Sequence, residues 1–143
     1  MQIFRLKELR EDNDLTQQQI ADKLHITRQN YSRWETSEKI IPLKHLNSLA
    51  NFYNVSLDYI SGISNKKNHP AASKELNRIK IGKRLKEWRI QNNLTQEELA
   101  LVLNTTHSTI SAYENGKTLI LTIFLYEIAK KFNVSIDYLC AKI

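Results

Sequence analysis

Residues 15–35 read LTQQQIADKLHITRQNYSRWE and predict two short helices separated by a tight turn. Thr16 followed three positions later by Gln19 is a capping box, in which each side chain bonds the backbone N–H of the other residue. Three apolar residues then fall on one face of the first helix: Ile20, Ala21 and Leu24. Thr27 is placed to cap the second helix, because a threonine oxygen accepts from an unpaired N–H of the first turn.

The second of these helices carries polar side chains that suit two different roles. Tyr31 and Trp34 share one face, because residues three apart are neighbours on a helix. The outward positions hold Arg28, Gln29 and Arg33, with Asn30 beside them. Arginine, glutamine and asparagine can bond base edges in the major groove of DNA. They are also ordinary solvated surface residues, and this stretch alone does not decide between the two interpretations.

The chain repeats itself at a spacing of 79 residues, without a gap. The matching segments are RLKELR at 5–10 with RLKEWR at 84–89, LTQQQIADKL at 15–24 with LTQEELALVL at 94–103, and NVSLDYI at 54–60 with NVSIDYL at 133–139. Two copies are too few for a solenoid, and each copy has enough apolar residues for a small core. The repeat therefore predicts two tandem domains.

Length and composition limit what these domains can be. The 143 residues suffice for two small domains, and the net charge of +6 favours an anionic partner such as nucleic acid or a membrane surface. A single cysteine, Cys140, excludes an internal disulfide and suits a reducing cytoplasm. The longest apolar run, near residues 119–126, is too short for a membrane span, and the charged start has no signal-peptide pattern.

The expected fold is all-α, with two tandem five-helix domains. Residues 1–62 form the first domain with its motif at about 16–35, residues 63–72 a linker, and residues 73–143 the second domain with its motif at about 95–114. Ser73 is expected to cap a helix that continues through Leu76 and Ile79. The predicted core of the first domain comprises Phe4, Leu6, Leu9, Leu43, Leu46, Leu49, Ala50 and Phe52, with Val55 and Ile60 around a helix capped by Ser56.

The pattern LTQ-x-x-[IL]-A-x-x-L, T-x-x-x-x-S-x-[WY]-E, L-x-x-[LI]-A-x-x-[FY] and NVS-x-DY resembles the phage repressor and Cro type of helix-turn-helix domain, the Xre family. It occurs twice and covers nearly the whole chain except residues 63–79. The resemblance implies a sequence-specific regulator of transcription that binds double-stranded DNA as a repressor, with the third helix of the first domain, or of both domains, in the major groove.

The resemblance also assigns roles to individual residues. The DNA-contacting set in the first domain is Gln17, Thr27, Arg28, Gln29, Asn30 and Arg33, with Gln17 and Thr27 near phosphates. The corresponding set in the second domain is Gln96, Thr106, His107, Ser108 and Thr109, which are smaller and carry less charge; they could contact bases or belong to a helix that has lost base reading. Two ion pairs common in the family are expected to be structural: Arg10 with Glu35, and Arg89 with Glu114.

The segment 118–132 departs from a simple amphipathic helix, because too many apolar residues crowd together for one stripe. Five of them are candidates for an exposed interface: Leu119, Ile120, Leu121, Ile123 and Phe124. Such a patch would support a homodimer, pairing of the two domains, or a protein partner. The alternative function is therefore a protein-interaction module, such as an antitoxin whose second domain binds a partner.

No residue pattern predicts an enzyme, a metal site or a cofactor. The four histidines show no metal-ligand spacing, and the chain has no Ser/His/Asp arrangement and no glycine-rich phosphate loop. Cys140 occupies the position that matches Ser61 in the repeat, which is typical of a small packed side chain.

Overall fold

The computed structural model describes residues 4–69 and 72–143, and all the regular structure in these two ranges is helical. The chain divides into two compact units, residues 1–69 and residues 70–143. Each unit contains five helices, which confirms the predicted fold class. In the first unit these are α1 (Leu6–Asp12), α2 (Gln17–Leu24), α3 (Arg28–Glu35), α4 (Leu43–Phe52) and α5 (Leu57–Ile60). In the second they are α6 (Arg78–Gln91), α7 (Gln96–Val102), α8 (His107–Glu114), α9 (Thr122–Phe132) and α10 (Ile136–Leu139).

Local capping explains where the central helices begin. The Thr16 hydroxyl accepts from the Gln19 N–H at 3.1 Å, and the Gln19 side chain accepts from the Thr16 N–H at 2.8 Å. Thr95 and Glu98 make the same two bonds, both at 3.0 Å. Both predicted capping boxes are therefore confirmed, and they satisfy N–H groups that a helix start would otherwise leave unpaired.

Each unit buries its own apolar core. The predicted core residues of the first unit are buried except Phe52 and Val55, and the core also contains Tyr31, Trp34, Ile41 and Leu57. The second unit buries equivalent residues: Ile81, Leu85, Trp88, Leu99, Ala100, Leu103, Ile110, Leu125, Ile128, Ile136 and Leu139. Burial of these side chains, at about 1.5–3 kcal/mol each, is the main driving force for helices this short.

Phe52 was expected in the core, but 43% of its surface is exposed. It is the last residue of α4 and lies outside the stripe formed by Leu46, Leu49 and Ala50, which are fully buried. The Lys23 ammonium lies 4.2 Å from the centre of the Phe52 ring, so a cation covers part of the aromatic face.

The expected helix start at Ser73 is wrong, since α6 begins at Arg78. The side-chain oxygen of Asn77 accepts from the N–H groups of Ile79 at 3.0 Å and Lys80 at 3.1 Å, and so caps the helix. The Ser73 hydroxyl instead accepts from the Glu75 N–H at 3.2 Å, outside any helix. The first helix of the second unit is still twice as long as α1, 14 residues against 7.

Residues 63–69, expected to belong to a linker, lie against the first unit. The Arg5 guanidinium donates to the Ser64 carbonyl at 2.8 Å and to the Asn65 side chain at 2.6 Å. Farther along, His69 Nε2 lies 2.9 Å from the buried carboxylate of Asp58. Partners so distant in sequence could not be read from the composition of the segment.

Two tyrosines, the buried Tyr31 and the half-buried Tyr53, should make the first unit sensitive to alkali. Burial, with a smaller contribution from the Glu35 carboxylate, raises the pKa of Tyr53 to about 12, and burial also raises the pKa of Tyr31. Because an unfolded tyrosine ionises near pH 10, this contribution to stability is complete below about pH 10 and is lost as the pH rises towards 12. The repeat places Ile110 and Phe132 at the matching positions of the second unit.

We therefore expect the denaturant concentration at the midpoint of unfolding of the first unit to decrease as the pH is raised from 10 to 12. The decrease should be smaller in Tyr53→Phe. Trp34 fluorescence in a Trp88→Phe background reports on this unit, since the chain has only these two tryptophans. Tyr126→Phe, in the second unit, is the control. A Tyr53→Phe protein with the same pH dependence as its parent would contradict the prediction.

Candidate nucleic-acid interface

A tight turn joins helices α2 and α3 of the first unit. The turn is possible because His25 adopts a left-handed conformation with φ 57°, and the Ile26 N–H then returns to the Ala21 carbonyl at 3.0 Å. The Thr27 hydroxyl accepts from the Asn30 N–H at 3.2 Å and starts α3. In the second unit, α7 and α8 have the same arrangement, with Asn104 as the left-handed residue.

Helix α3 has one buried face and one exposed face. Tyr31, Trp34 and Glu35 are buried, and they fix the helix against its unit. The side chains at the N-terminal turn are exposed, namely Arg28, Gln29 and Asn30, and the Arg33 side chain is 42% exposed. Three of the four predicted base-reading residues therefore cluster at one end of the helix, and Arg33 lies one turn beyond them. We call the surface formed by these four residues the α3 surface.

The matching surface of the second unit has a different chemistry. His107 and Ser108 are exposed, and Thr109 is half-buried. The Thr109 hydroxyl lies 2.9 Å from the Thr106 hydroxyl, so the two already share a hydrogen bond. Ala112 replaces Arg33. These side chains are shorter than those of the α3 surface and include no arginine. We call the surface formed by His107, Ser108, Thr109 and Ala112 the α8 surface.

An ion pair joins the first and third helix of each unit. Arg10 Nε and Nη2 donate to the Glu35 carboxylate at 2.9–3.1 Å, and Arg10 Nη1 donates to the Leu15 carbonyl at 2.8 Å. The bond to Glu35 raises the Arg10 pKa, which burial lowers to a smaller extent. The guanidinium therefore stays charged at any physiological pH, and it ties α1, the following turn and α3 together.

The second unit has the same ion pair in a slightly more buried form. Arg89 Nε lies 2.6 Å from Glu114 Oε2, and Nη2 lies 2.9 Å from Oε1. Arg89 also donates to the Leu94 carbonyl at 2.8 Å. The bond to Glu114 again raises the arginine pKa against an opposing effect of burial.

The glutamine at the start of each second helix is bound to the same ion pair. Gln96 Nε2 donates to Glu114 at 2.9 Å, and Gln17 Nε2 lies 3.4 Å from Glu35. Gln17 Oε1 in turn accepts from Arg28 at 3.4 Å. The sequence pattern did not predict these bonds. The signal available was that a glutamine and a glutamate 18 residues apart recur in both copies.

One of the five candidate interface residues is buried, and the other four are at least partly exposed. Ile120 is 2% exposed and belongs to the core of its unit, so its assignment to an interface is wrong. The apolar run looks crowded because α9 begins only at Thr122, so residues 119–121 precede the helix and do not share its stripe; Leu121, the N-cap residue, has an extended backbone. Leu121 is 53% exposed, whereas Leu119, Ile123 and Phe124 are half-buried.

Among the described residues, no helix is both long enough and apolar enough to cross a lipid bilayer. The arrangement just described is that of a helix-turn-helix domain: a buried scaffold that presents the N-terminal turn of one helix to the outside.

Comparison with known proteins gives the class more narrowly. A family model described as helix-turn-helix matches residues 6–60 and 85–139, which together make up most of the chain. The HTH-type transcriptional regulator YqaE of Bacillus subtilis, itself uncharacterized, is 35% identical over 99 residues, which are 68% of this chain and 85% of YqaE. The chain belongs to the helix-turn-helix family of DNA-binding transcriptional regulators, of the repressor and Cro type, and carries two copies of its domain.

Two further relatives match a single domain. The uncharacterized HTH-type transcriptional regulator YobD of Bacillus subtilis is 42% identical over 60 residues, which are 42% of this chain and 54% of YobD. The antitoxin PezA of Streptococcus pneumoniae serotype 4 is 40% identical over 55 residues, which are 38% of this chain and 35% of PezA. The matched region is thus about half of YobD and a third of PezA.

Proposed function

We propose that this protein represses transcription by binding a specific double-stranded DNA site, and that the α3 surface reads the bases. The observation that carries the proposal is the exposure of Arg28, Gln29 and Asn30 on a helix whose opposite face is fixed by the core. Arginine can bond guanine O6 and N7 together, and glutamine or asparagine can bond adenine N6 and N7. Binding, not catalysis, is the proposed activity, and a chromosomal site implies a cytoplasmic location.

The residues around the α3 surface suit the phosphate backbone. Gln17 and Thr27 lie at the N-terminal ends of α2 and α3, where backbone N–H groups and the helix dipole favour an anion. We propose the same backbone role for Gln96 and Thr106. Phosphate contacts position a protein on DNA but carry no sequence information, so these residues would contribute affinity to any site.

The α8 surface contributes less discrimination in this proposal. Without arginine, it lacks the side chain that makes the commonest specific contact with guanine. His107, Ser108 and Thr109 can still accept or donate single bonds, and a threonine methyl can contact thymine. The second unit would therefore bind its half-site mainly through phosphates, or would take part in assembly through its exposed Leu121.

Selection of binding sites from a random DNA library at about 150 mM salt tests the proposal. Phosphate attraction alone enriches no motif, so an enriched motif requires base reading. We expect Arg33→Ala to weaken binding to the selected site by about 5- to 150-fold and to relax the preference at one base pair. Lys7→Ala, which removes a positive charge from the exposed face of α1, is the matched control and should leave the motif unchanged.

The selected motif also distinguishes two modes of assembly. If Arg33→Ala relaxes one half of a two-part motif, the two units of one chain read the site together. If it relaxes both halves, two chains each present a first unit. Absence of any motif would contradict the proposal and favour the second candidate, binding of a protein partner, for which the likeness to an antitoxin and the exposed Leu121 speak.

A further inference from the structure

We infer that Glu38 raises the sequence specificity of the first unit by weakening its attraction to DNA in general. This inference rests on the proposed function, since it concerns how the α3 surface discriminates between sites. Glu38 lies in the loop that follows α3, and its carboxylate is 3.9 Å from Arg33 Nε. The Glu38 side chain is 65% exposed, so it is not part of the core of its unit.

The loop holds Glu38 beside the α3 surface. Ser37 adopts a left-handed conformation with φ 61°, and its N–H returns to the Trp34 carbonyl at 3.2 Å. The Lys39 N–H, two residues farther along the loop, donates to the Arg33 carbonyl at 3.2 Å. These bonds turn the chain back over the end of α3, which brings the exposed Glu38 side chain close to Arg33.

The second unit carries the opposite charge at this place. The repeat matches Glu38 with Lys117 and Arg33 with Ala112. The left-handed residue is also matched, since Ser37 corresponds to Gly116, whose φ is 71°. The two loops thus share their turn but differ by two charges at one position. The first unit thus combines an arginine on α3 with a carboxylate in the loop that follows, and the second unit has neither at the matching positions.

Electrostatics gives this carboxylate a definite effect. Near a phosphate backbone, Glu38 is repelled by every DNA, whatever the sequence, and it partly neutralises the charge by which Arg33 attracts phosphates. At the correct site, Arg33 exchanges the weak contact with Glu38 for two hydrogen bonds to a guanine, which offsets the repulsion. At other sites the repulsion is not offset. Specificity is a difference of affinities, and a repulsive element that acts against wrong sites increases it.

The test measures the affinity of Glu38→Gln for the selected site and for unrelated DNA at the same salt concentration. We expect binding to unrelated DNA to tighten by about fivefold, the equivalent of one charge interaction at 4 Å in water, and binding to the selected site to tighten less. The ratio of the two affinities should therefore fall. Glu38→Lys, which introduces the residue type of the second unit, should give a larger effect and a steeper dependence on salt.

Glu11→Gln is the matched control. Glu11 also forms a weak, exposed pair with a cation, 4.0 Å from Lys7, and its replacement changes the net charge by the same amount. It lies outside α2 and α3, so the affinity ratio should not change. In an Arg33→Ala background, Glu38→Gln should tighten binding to both DNAs equally, because the exchange at guanine is no longer possible.

The outcomes separate this inference from the proposed function. If the parent protein selects a motif but Glu38→Gln leaves the affinity ratio unchanged, the inference is overturned and the proposed function stands. If Glu38→Gln instead weakens binding to the selected site and removes the preference for cytosine at one position, Glu38 reads a base directly and the repulsive role is overturned. If the parent selects no motif, both fail.

Discussion

Glu35→Ala should lower the free energy of unfolding of the first unit by about 3–5 kcal/mol, because it leaves a largely buried guanidinium without its counter-ion. The Glu35 side chain is 2% exposed and that of Arg10 is 13% exposed. After the substitution Arg10 keeps its bond to the Leu15 carbonyl, but the bonds of Nε and Nη2 to the carboxylate are lost. Water cannot replace them fully at a site so enclosed.

Chemical unfolding followed by Trp34 fluorescence in a Trp88→Phe background measures this loss in the first unit alone. Glu35→Gln keeps one acceptor oxygen and should lose less stability than Glu35→Ala. A double substitution, Arg10→Met with Glu35→Leu, removes both charges and should also cost less than the single alanine. An unchanged unfolding midpoint for Glu35→Ala would show that the pair contributes nothing to stability.

The expected loss also has a functional consequence. Glu35 holds Gln17 at the start of α2 as well as Arg10, and Gln17 accepts from Arg28 on the α3 surface. Removal of the carboxylate therefore loosens the groups on both sides of the proposed DNA contact. We expect DNA affinity of Glu35→Ala to fall even at temperatures where the unit remains folded.

Gly82→Ala should destabilise the second unit by about 3 kcal/mol, at the upper end of what overpacking costs. A Cβ atom at Gly82 would lie 2.2 Å from the Tyr113 carbonyl oxygen and 2.8 Å from that of Glu114. Both contacts are with backbone, so no side-chain rotation can relieve them. Helix α6 would have to move away from the C-terminal end of α8.

Helix propensity predicts the opposite sign, which makes the experiment informative. Within a helix, alanine is favoured over glycine by about 0.5–1 kcal/mol. The measurement is chemical unfolding followed by Trp88 fluorescence in a Trp34→Phe background. Lys86→Ala, at an exposed position one turn along α6, is the control and should change stability by no more than about 0.5 kcal/mol. Stabilisation by Gly82→Ala would mean that α6 and α8 are farther apart than the structure has them.

Local signals in the sequence were sufficient for much of the architecture. The capping boxes at Thr16 and Thr95 and the caps at Thr27 and Thr106 depend on residues three apart, so a short window contains both partners. The repeat of 79 residues then fixed the number of units, because two copies of a pattern imply two copies of a fold. The exposed character of Arg28 and Gln29 followed from the helical period alone.

The predictions that were wrong concern positions where the local sequence allows more than one backbone conformation. Ser73 and Asn77 are both residue types that cap helices, and it is Asn77 that caps α6. The apolar run at 119–125 predicts too much exposed surface if it is read as one helix. Ile120 lies before α9, which begins at Thr122, so the stripe of that helix does not determine its burial.

By itself, then, the sequence determined the fold class, the tandem repeat and the helix that bears the polar surface, since these depend on the periodicity and capping of neighbouring residues. Only the tertiary structure decided that Gln17 and Gln96 bond to the ion pairs, that residues 63–69 belong to the first unit, and that Glu38 lies beside Arg33. Each of these depends on a distance between groups brought together by packing or by a loop conformation. Neither the spacing nor the type of the residues specifies such a distance.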